Sequence, residues 1–358
     1  MRFTEKDIIK RLQESAEQYK PLIFKRFEEE FLLTTNRVRA DAIVEISTEN
    51  GLSFKALIEI KTVANPKTLL LSCKVLRDEL NRINEQDLVP VVVAPYIGNR
   101  QAGILADEGV SWIDLSGNMR IQISNRLYIE RTGKPNKFPD TVPIRKIFQG
   151  TSSLVSRALL LKLDGFSSLY EITDFINSRN ANITPSTVSK VLKSLEQELL
   201  VDKSKSLIST RNPEKLLDRL TEGYIGSTER KTRKAYKFAA DNTRDLFFAF
   251  SNLRIDYAAC GFYAAKLKGL AVTNEITIFV KDIERVRKAG VPEDTTFSNL
   301  TIIETNEPDV WFNVSRQINN TVVDDIELYL EMMTATPRGP EIARQIKQRI
   351  LKRTDIDG

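Results

Sequence analysis

The stretch RADAIVEISTENGLSFKALIEIK, residues 39–61, alternates with a period of two on both sides of Glu49-Asn50-Gly51. Ala40, Ala42, Val44 and Ile46 interleave with Arg39, Asp41, Ile43 and Glu45, and Phe54, Ala56, Ile58 and Ile60 repeat the pattern beyond the turn, which predicts a β-hairpin. If the loop has three residues, facing partners sum to 100 in residue number: Ala42 meets Ile58, Val44 meets Ala56 and Ile46 meets Phe54 on one apolar face. The same register sets Asp41 across from Glu59, with Lys61 on their side two residues on and Glu45 opposite Lys55. Two carboxylates and an amine brought together in this way suit Mg²⁺-dependent cleavage of a phosphodiester. Asp41 and Glu59 would hold the ion, and Lys61 would position the attacking water.

Working outward, residues 4–32 predict helix in two pieces interrupted near Pro21, from Ile8, Ile9 and Leu12 and then Leu22, Phe24, Phe27 and Phe31 at helical spacing. Residues 66–84 predict a helix, VPVVVAP (89–95) a buried strand, 99–108 a short helix and 110–131 three short strands. The order α-β-β-α-β-α-β describes an α/β domain. Its R-A-Asp41-A and I-Glu59-I-Lys61 motifs, between an N-terminal helix carrying Glu28, Glu29 and Glu30 and a following helix, resemble the PD-(D/E)xK restriction-endonuclease-like superfamily. That resemblance implies a nuclease-like domain over 1–133 and, if its site is active, Asp41, Glu59 and Lys61 as catalytic residues with Mg²⁺ as cofactor; no other cofactor is expected. The third acidic ligand stays open among Glu14, Glu17, Glu28, Glu29 and Glu30.

Gly133, Pro135, Pro139 and Pro143 mark a linker at 134–150. Helices then follow at Leu154–Leu163, Leu169–Asn177 and Pro185–Leu199, with VDKSKSLIST (201–210) as strand-turn-strand, the order of a winged helix-turn-helix. Thr184 is placed to cap the third helix and Pro185 to start it, with Val188, Val191, Leu192 and Leu195 facing inward. Its outward Ser186, Thr187, Lys190 and Lys193 are candidates for base and phosphate contacts in duplex DNA, joined by Lys203 and Lys205 of the wing. Residues 212–242 predict more helix, with the cationic run Arg230, Lys231, Arg233, Lys234 and Lys237 as further candidates for DNA contact. A winged-helix domain over 151–240 and an α+β domain over 241–358 complete the expected architecture.

GVSWIDLSGNMRIQI (109–123), TPSTVSKVLKSLEQELLV (184–201), RNPEKLLDRLTEGY (211–224) and VDDIELYLEMMTATPRGPEIARQI (323–346) together resemble the AbiEi family of transcriptional regulators, the antitoxins of type IV toxin-antitoxin systems. The resemblance spans nearly the whole chain. It implies a winged-helix reader of double-stranded DNA joined to a nucleotidyltransferase-like domain, repressing its own operon and able to bind a partner toxin. A live nucleotidyltransferase needs a Gly-Ser loop and an Asp-x-Asp pair. Here Gly261-Phe262-Tyr263-Ala264 and Glu275-Ile276-Thr277 stand in their place, so this domain reads as catalytically inactive.

Composition narrows the chemistry further. Among 358 residues there is no histidine, which excludes Ser-His-Asp and Cys-His nucleophilic sites and histidine-ligated zinc. Cys73 and Cys260 alone form no disulfide framework or thiolate cage. The opening MRFTEKDIIKRLQESAEQY lacks a signal-peptide pattern and no apolar run is long enough for a membrane span, so a cytoplasmic protein with no membrane partner is expected. Charge is uneven: 23 basic and 20 acidic residues in 1–149 leave +3, 15 and 10 in 150–240 leave +5, and 15 and 18 in 241–358 leave −3. The basic middle third carries the electrostatic signature of a phosphate-backbone binder. Three readings stand side by side: a DNA-binding regulator, a Mg²⁺-dependent DNA endonuclease targeted by its winged helix, and an antitoxin whose acidic last domain holds a toxin.

Overall fold

Thr4 opens the first helix, α1 (Glu5–Glu14), with a capping box: Asp7 N–H donates to Thr4 Oγ1 at 3.2 Å and Thr4 N–H donates to Asp7 Oδ2 at 2.8 Å. The structure is a computed structural model and describes residues 3–32, 39–83, 87–138, 145–239, 243–290, 298–317, 320–335 and 337–352. The chain divides into two compact units, Met1–Ile144 with Gln197–Leu199, and Arg145–Glu196 with Leu200–Gly358.

In the first unit α1 is followed by β1 (Leu22–Leu32), β2 (Arg39–Thr48), β3 (Ser53–Ile60), α2 (Pro66–Ile83), β4 (Leu88–Ala94), α3 (Asn99–Asp107), β5 (Ser111–Asp114), β6 (Met119–Ile123) and β7 (Leu127–Arg131). The seven strands form one sheet in chain order. β3, β4 and β5 run parallel, joined by α2 and α3 as crossovers, and the outer pairs are antiparallel hairpins. Ala42, Val44, Ile46, Phe54, Ala56, Ile58 and Ile60 pack with Ile8 and Leu12 on one face. Ile43, Leu57, Val92 and Trp112 pack on the other against Leu69, Cys73 and Leu76 of α2 and Leu105 of α3. The arrangement is a mixed α/β sheet domain.

The hairpin has the expected register, pairing Ala42 with Ile58, Val44 with Ala56, Glu45 with Lys55 and Ile46 with Phe54. Its loop is Glu49-Asn50-Gly51, and Gly51 takes φ +85°, a left-handed conformation that glycine adopts without steric cost. One expectation is overturned: 22–32 is strand β1, not helix. The register of β1 on β2 shifts between Phe24 and Arg26, and this bulge puts Phe24 and Phe27 together, their rings stacked with centroids 5.9 Å apart. A bulged strand thus shows apolar residues three apart, a spacing that reads as helical.

The second unit begins with α4 (Gly150–Leu161), α5 (Leu169–Asn177), α6 (Pro185–Gln197) and the hairpin β8 (Val201–Lys203) with β9 (Ile208–Thr210). It continues with α7 (Pro213–Ile225), α8 (Thr228–Lys231), β10 (Lys234–Phe238), α9 (Thr243–Asn252), β11 (Tyr257–Ala259), α10 (Gly261–Leu267), β12 (Ile276–Val280), α11 (Ile283–Lys288) and β13 (Leu300–Glu304). Then come α12 (Pro308–Trp311), β14 (Ser315–Gln317), β15 (Asn320–Val322), α13 (Asp325–Thr334) and α14 (Gly339–Leu351). Six strands form a mixed sheet in the order β10-β13-β12-β11-β15-β14. One apolar core is continuous through the unit, from Ile147 and Leu154 to Ile346 and Ile350. The expectation of helix throughout 212–242 also fails, because 234–238 is an edge strand. In KAYKF, Tyr236 and Phe238 turn inward while Ala235 and Lys237, before and between them, stay in solvent, the period of a strand.

Candidate functional site

β2 and β3 bring the predicted acidic site together. Asp41 Oδ2 accepts the Ile60 N–H at 2.6 Å, which ties the start of β2 to the end of β3. Lys61 Nζ donates to Glu59 Oε1 at 2.6 Å. The Lys61 backbone is held in turn by its N–H bond to the Val93 carbonyl on β4, so the amine sits at the C-terminal edge of the parallel strands. Glu59 is buried, at 7% exposure, in the row Glu59–Val92–Trp112 across three strands. Burial pushes its carboxyl above the ordinary range and Asp41 adds to the rise, while the Lys61 ammonium opposes both.

Of the acids considered for a third ligand, Glu14 pairs with Lys10 and Glu17 with Lys20 on the N-terminal helical segment. Glu28, Glu29 and Glu30 lie on β1 instead of a helix. The ladder pairs Glu29 with Ala42 and Phe31 with Ala40, so Glu30 takes the register position opposite Asp41. An acid the sequence reasoning missed is Glu5, in the first turn of α1, which also raises the Glu59 carboxyl. Asp114 of β5 is fully buried, and its oxygens accept from Asn118 N and Nδ2 in its own turn and from Ile97 N in the segment between β4 and α3. It braces the β5–β6 turn. Among the described residues no three acids group as metal ligands. Mg²⁺ is commonly held by only one or two carboxylates with water and substrate phosphate, a donor set that Asp41 and Glu59 could supply.

The predicted DNA-contact residues fall into two groups. Thr184 Oγ1 accepts the Thr187 N–H at 3.3 Å and caps α6, whose Val188, Val191, Leu192 and Leu195 are buried as the stripe requires. Ser186, Lys190 and Lys193 are exposed on the opposite face, with Thr187 half-buried beside the cap. Lys203 and Lys205 are exposed on the β8–β9 hairpin, and Lys231 and Lys234 are exposed further along. Arg230 and Arg233 are turned inward. Arg230 lies 4.9 Å from the Tyr224 ring centroid and donates to the Tyr224 carbonyl. Arg233 makes a two-pronged pair with Glu307 at 2.7 and 2.9 Å beneath the Phe279 ring. Its charge is spent inside the protein.

Arg233 belongs to a buried ionic cluster that sequence reasoning missed. Arg157 of α4, 1% exposed, donates to Glu327 of α13 at 2.7 Å and lies 3.6 Å from Asp309 of α12. Glu331, one turn beyond Glu327, accepts the Gly261 N–H at 3.0 Å, and burial with the Glu327 charge pushes its carboxyl up to about 8. The available signal was an arginine inside the apolar run SLVSRALLL (153–161), where an unpaired charge would be costly.

No protein-family model matches the chain, and no curated protein matches it. Among solved structures the chain is similar to a repair endonuclease from Pyrococcus abyssi, at 16% identity over 32% of this chain and 47% of that one, with a TM-score of 0.24. It is similar also to EndoMS in its apo form, at 16% identity over 31% of this chain and 46% of that one, with a TM-score of 0.21. The chain spans about half the length of these structures. At such scores the overlap is too loose to bear on the chemistry, which rests on the geometry above. No helix among the described residues is long and apolar enough to cross a membrane.

Proposed function

We propose that this protein binds double-stranded DNA through a winged helix-turn-helix formed by α4, α5, α6 and the β8–β9 hairpin, and that it regulates by occupying its site. The observation that carries the reading is α6 itself: a capped helix with one face locked in the core and Ser186, Lys190 and Lys193 exposed on the other, followed by a hairpin with exposed Lys203 and Lys205. Lysines at these positions suit phosphates and guanine edges, and the hydroxyls near the helix N-terminus suit the groove. Residues 151–240 then act as the reader, and 241–358 as a catalytically inactive nucleotidyltransferase-like domain. With the AbiEi-like sequence strings, the natural target is the protein's own operon and the natural protein partner a toxin. A gel shift on the native upstream duplex tests this. The expected result is a complex that survives excess scrambled duplex, and equal competition by both duplexes refutes sequence-specific reading.

A second reading is favoured by the acidic site: a Mg²⁺-dependent endonuclease in which Asp41 and Glu59 would hold the ion and Lys61 would orient the attacking water. Occupancy is the leading reading because the capped α6 with its exposed lysines carries it. Supercoiled plasmid carrying the upstream region, incubated with Mg²⁺ or Mn²⁺, is expected to stay intact. Nicking that disappears in Lys61→Ala, with DNA binding unchanged, would establish the endonuclease instead.

A further inference from the structure

Within the second unit a concave pocket of ≈ 400 Å³ opens between the turn that joins α5 to α6 and the strand ends of the six-stranded sheet. That volume lies in the range of small-ligand sites. One side is aromatic: Phe247 and Tyr257 stack with centroids 4.5 Å apart and planes 14° from parallel. Trp311 forms another part of the lining, its ring fixed by Nε1–H donation to the Thr305 carbonyl at 3.0 Å. Lys281 Nζ sits 4.9 Å from the Trp311 centroid and Arg316 is exposed at the lining, while Asp256, an acid among these residues, is neutralised by Lys281 at 3.2 Å. The pocket lies at the Tyr257 end of β11, the end opposite Gly261.

We propose that this pocket binds a small planar ring carrying an anionic group, of mononucleotide size, and that its occupancy shifts the helix-turn-helix. The aromatic wall takes the ring through apolar and edge contacts, and Lys281 and Arg316 take the anion through charge-assisted hydrogen bonds. A neutral aromatic leaves the cations unused, and a bare anion leaves the aromatic wall unused. The coupling follows from Asn180, which lines the pocket and sits in the α5–α6 turn at φ 57°. The neighbouring Arg179 carbonyl accepts the Asn313 N–H at 3.3 Å, so the turn and the sheet-side wall are already tied. This second clause rests on α6 being the DNA-reading helix.

Calorimetry of the full-length protein with adenosine 5′-monophosphate tests the pocket, with adenosine and inorganic phosphate as probes of each half. One-to-one binding is expected, weakened about tenfold by either half alone and by Lys281→Ala or Arg316→Ala, both surface changes that leave the core intact. No binding by the folded protein, binding equal for phosphate alone, or binding indifferent to both substitutions overturns the site. Duplex affinity measured with and without saturating nucleotide tests the coupling: a change of about threefold or more supports it, and no change overturns it. A protein that binds DNA but no nucleotide refutes the pocket and leaves the DNA reading standing. A protein that binds nucleotide but no DNA does the reverse.

Discussion

Replacing Arg157 with methionine removes the central cation of the ionic cluster while keeping an unbranched side chain of comparable reach in α4. Glu327, fully buried, then loses its 2.7 Å partner and, among the described residues, keeps the Tyr224 hydroxyl at 3.5 Å and Arg233 at 4.0 Å; Asp309, also buried, loses its partner at 3.6 Å. Breaking one side of a buried pair leaves an uncompensated charge, at a cost of about 3–5 kcal/mol. With a urea m-value of about 2 kcal/mol per molar, the unfolding midpoint of this unit falls by about 2 M. The assay is urea denaturation followed by Trp311 fluorescence, with Trp112→Phe carried as a common background. Adding Glu327→Leu to Arg157→Met should restore about half of the loss or more, because the pair is then replaced by apolar groups rather than broken. A loss below about 1 kcal/mol for Arg157→Met, or strictly additive effects in the double variant, would refute the argument.

The raised Glu331 carboxyl makes the second unit's stability depend on pH. Its contribution is fully present below the ordinary value of 4.5 and is lost as pH rises to about 8, since the unfolded state releases the proton first. Glu331→Gln should flatten the melting-temperature profile across that window, and an unchanged slope would show that another group titrates. Gly223→Ala should destabilise by about 1–3 kcal/mol, because its Cβ would meet Phe148 Cβ at 2.5 Å and the Phe148 carbonyl oxygen at 2.8 Å; a neutral substitution in thermal melts would mean that the 145–148 turn gives way freely.

Where local periodicity and tertiary placement agree, the fold was legible in the sequence. The register of the 39–61 hairpin followed from a single apolar face, and the α6 stripe from its spacing and cap. Phe24 and Phe27 misled because a bulge, which depends on the partner strand, gave a strand a helix-like spacing. Arg230 and Arg233 read as surface cations because charge in a run says nothing about burial; only the fold reveals that Glu307 and Tyr224 take them inward. The ionic cluster joins residues from 157 to 331, and its one local sign, an arginine in an apolar run, says nothing of the distant acids that pair with it. The acidic site was legible as a pair with its lysine, because one hairpin supplies all three residues. Its relation to Glu5 was not, since that rests on how α1 packs on the sheet.

Whether α6 and its hairpin hold duplex DNA is decided by the salt dependence of binding. Four exposed lysines, Lys190, Lys193, Lys203 and Lys205, face solvent on these elements. If each neutralises a phosphate, the log-log slope of affinity against salt is about −3 to −4. Fluorescence anisotropy with the Lys190→Ala/Lys193→Ala double variant should show weaker binding and a slope shallower by about 2, with the fold unchanged by circular dichroism. An affinity and a slope identical to those of the parent protein would contradict the account and move the DNA-binding surface away from α6.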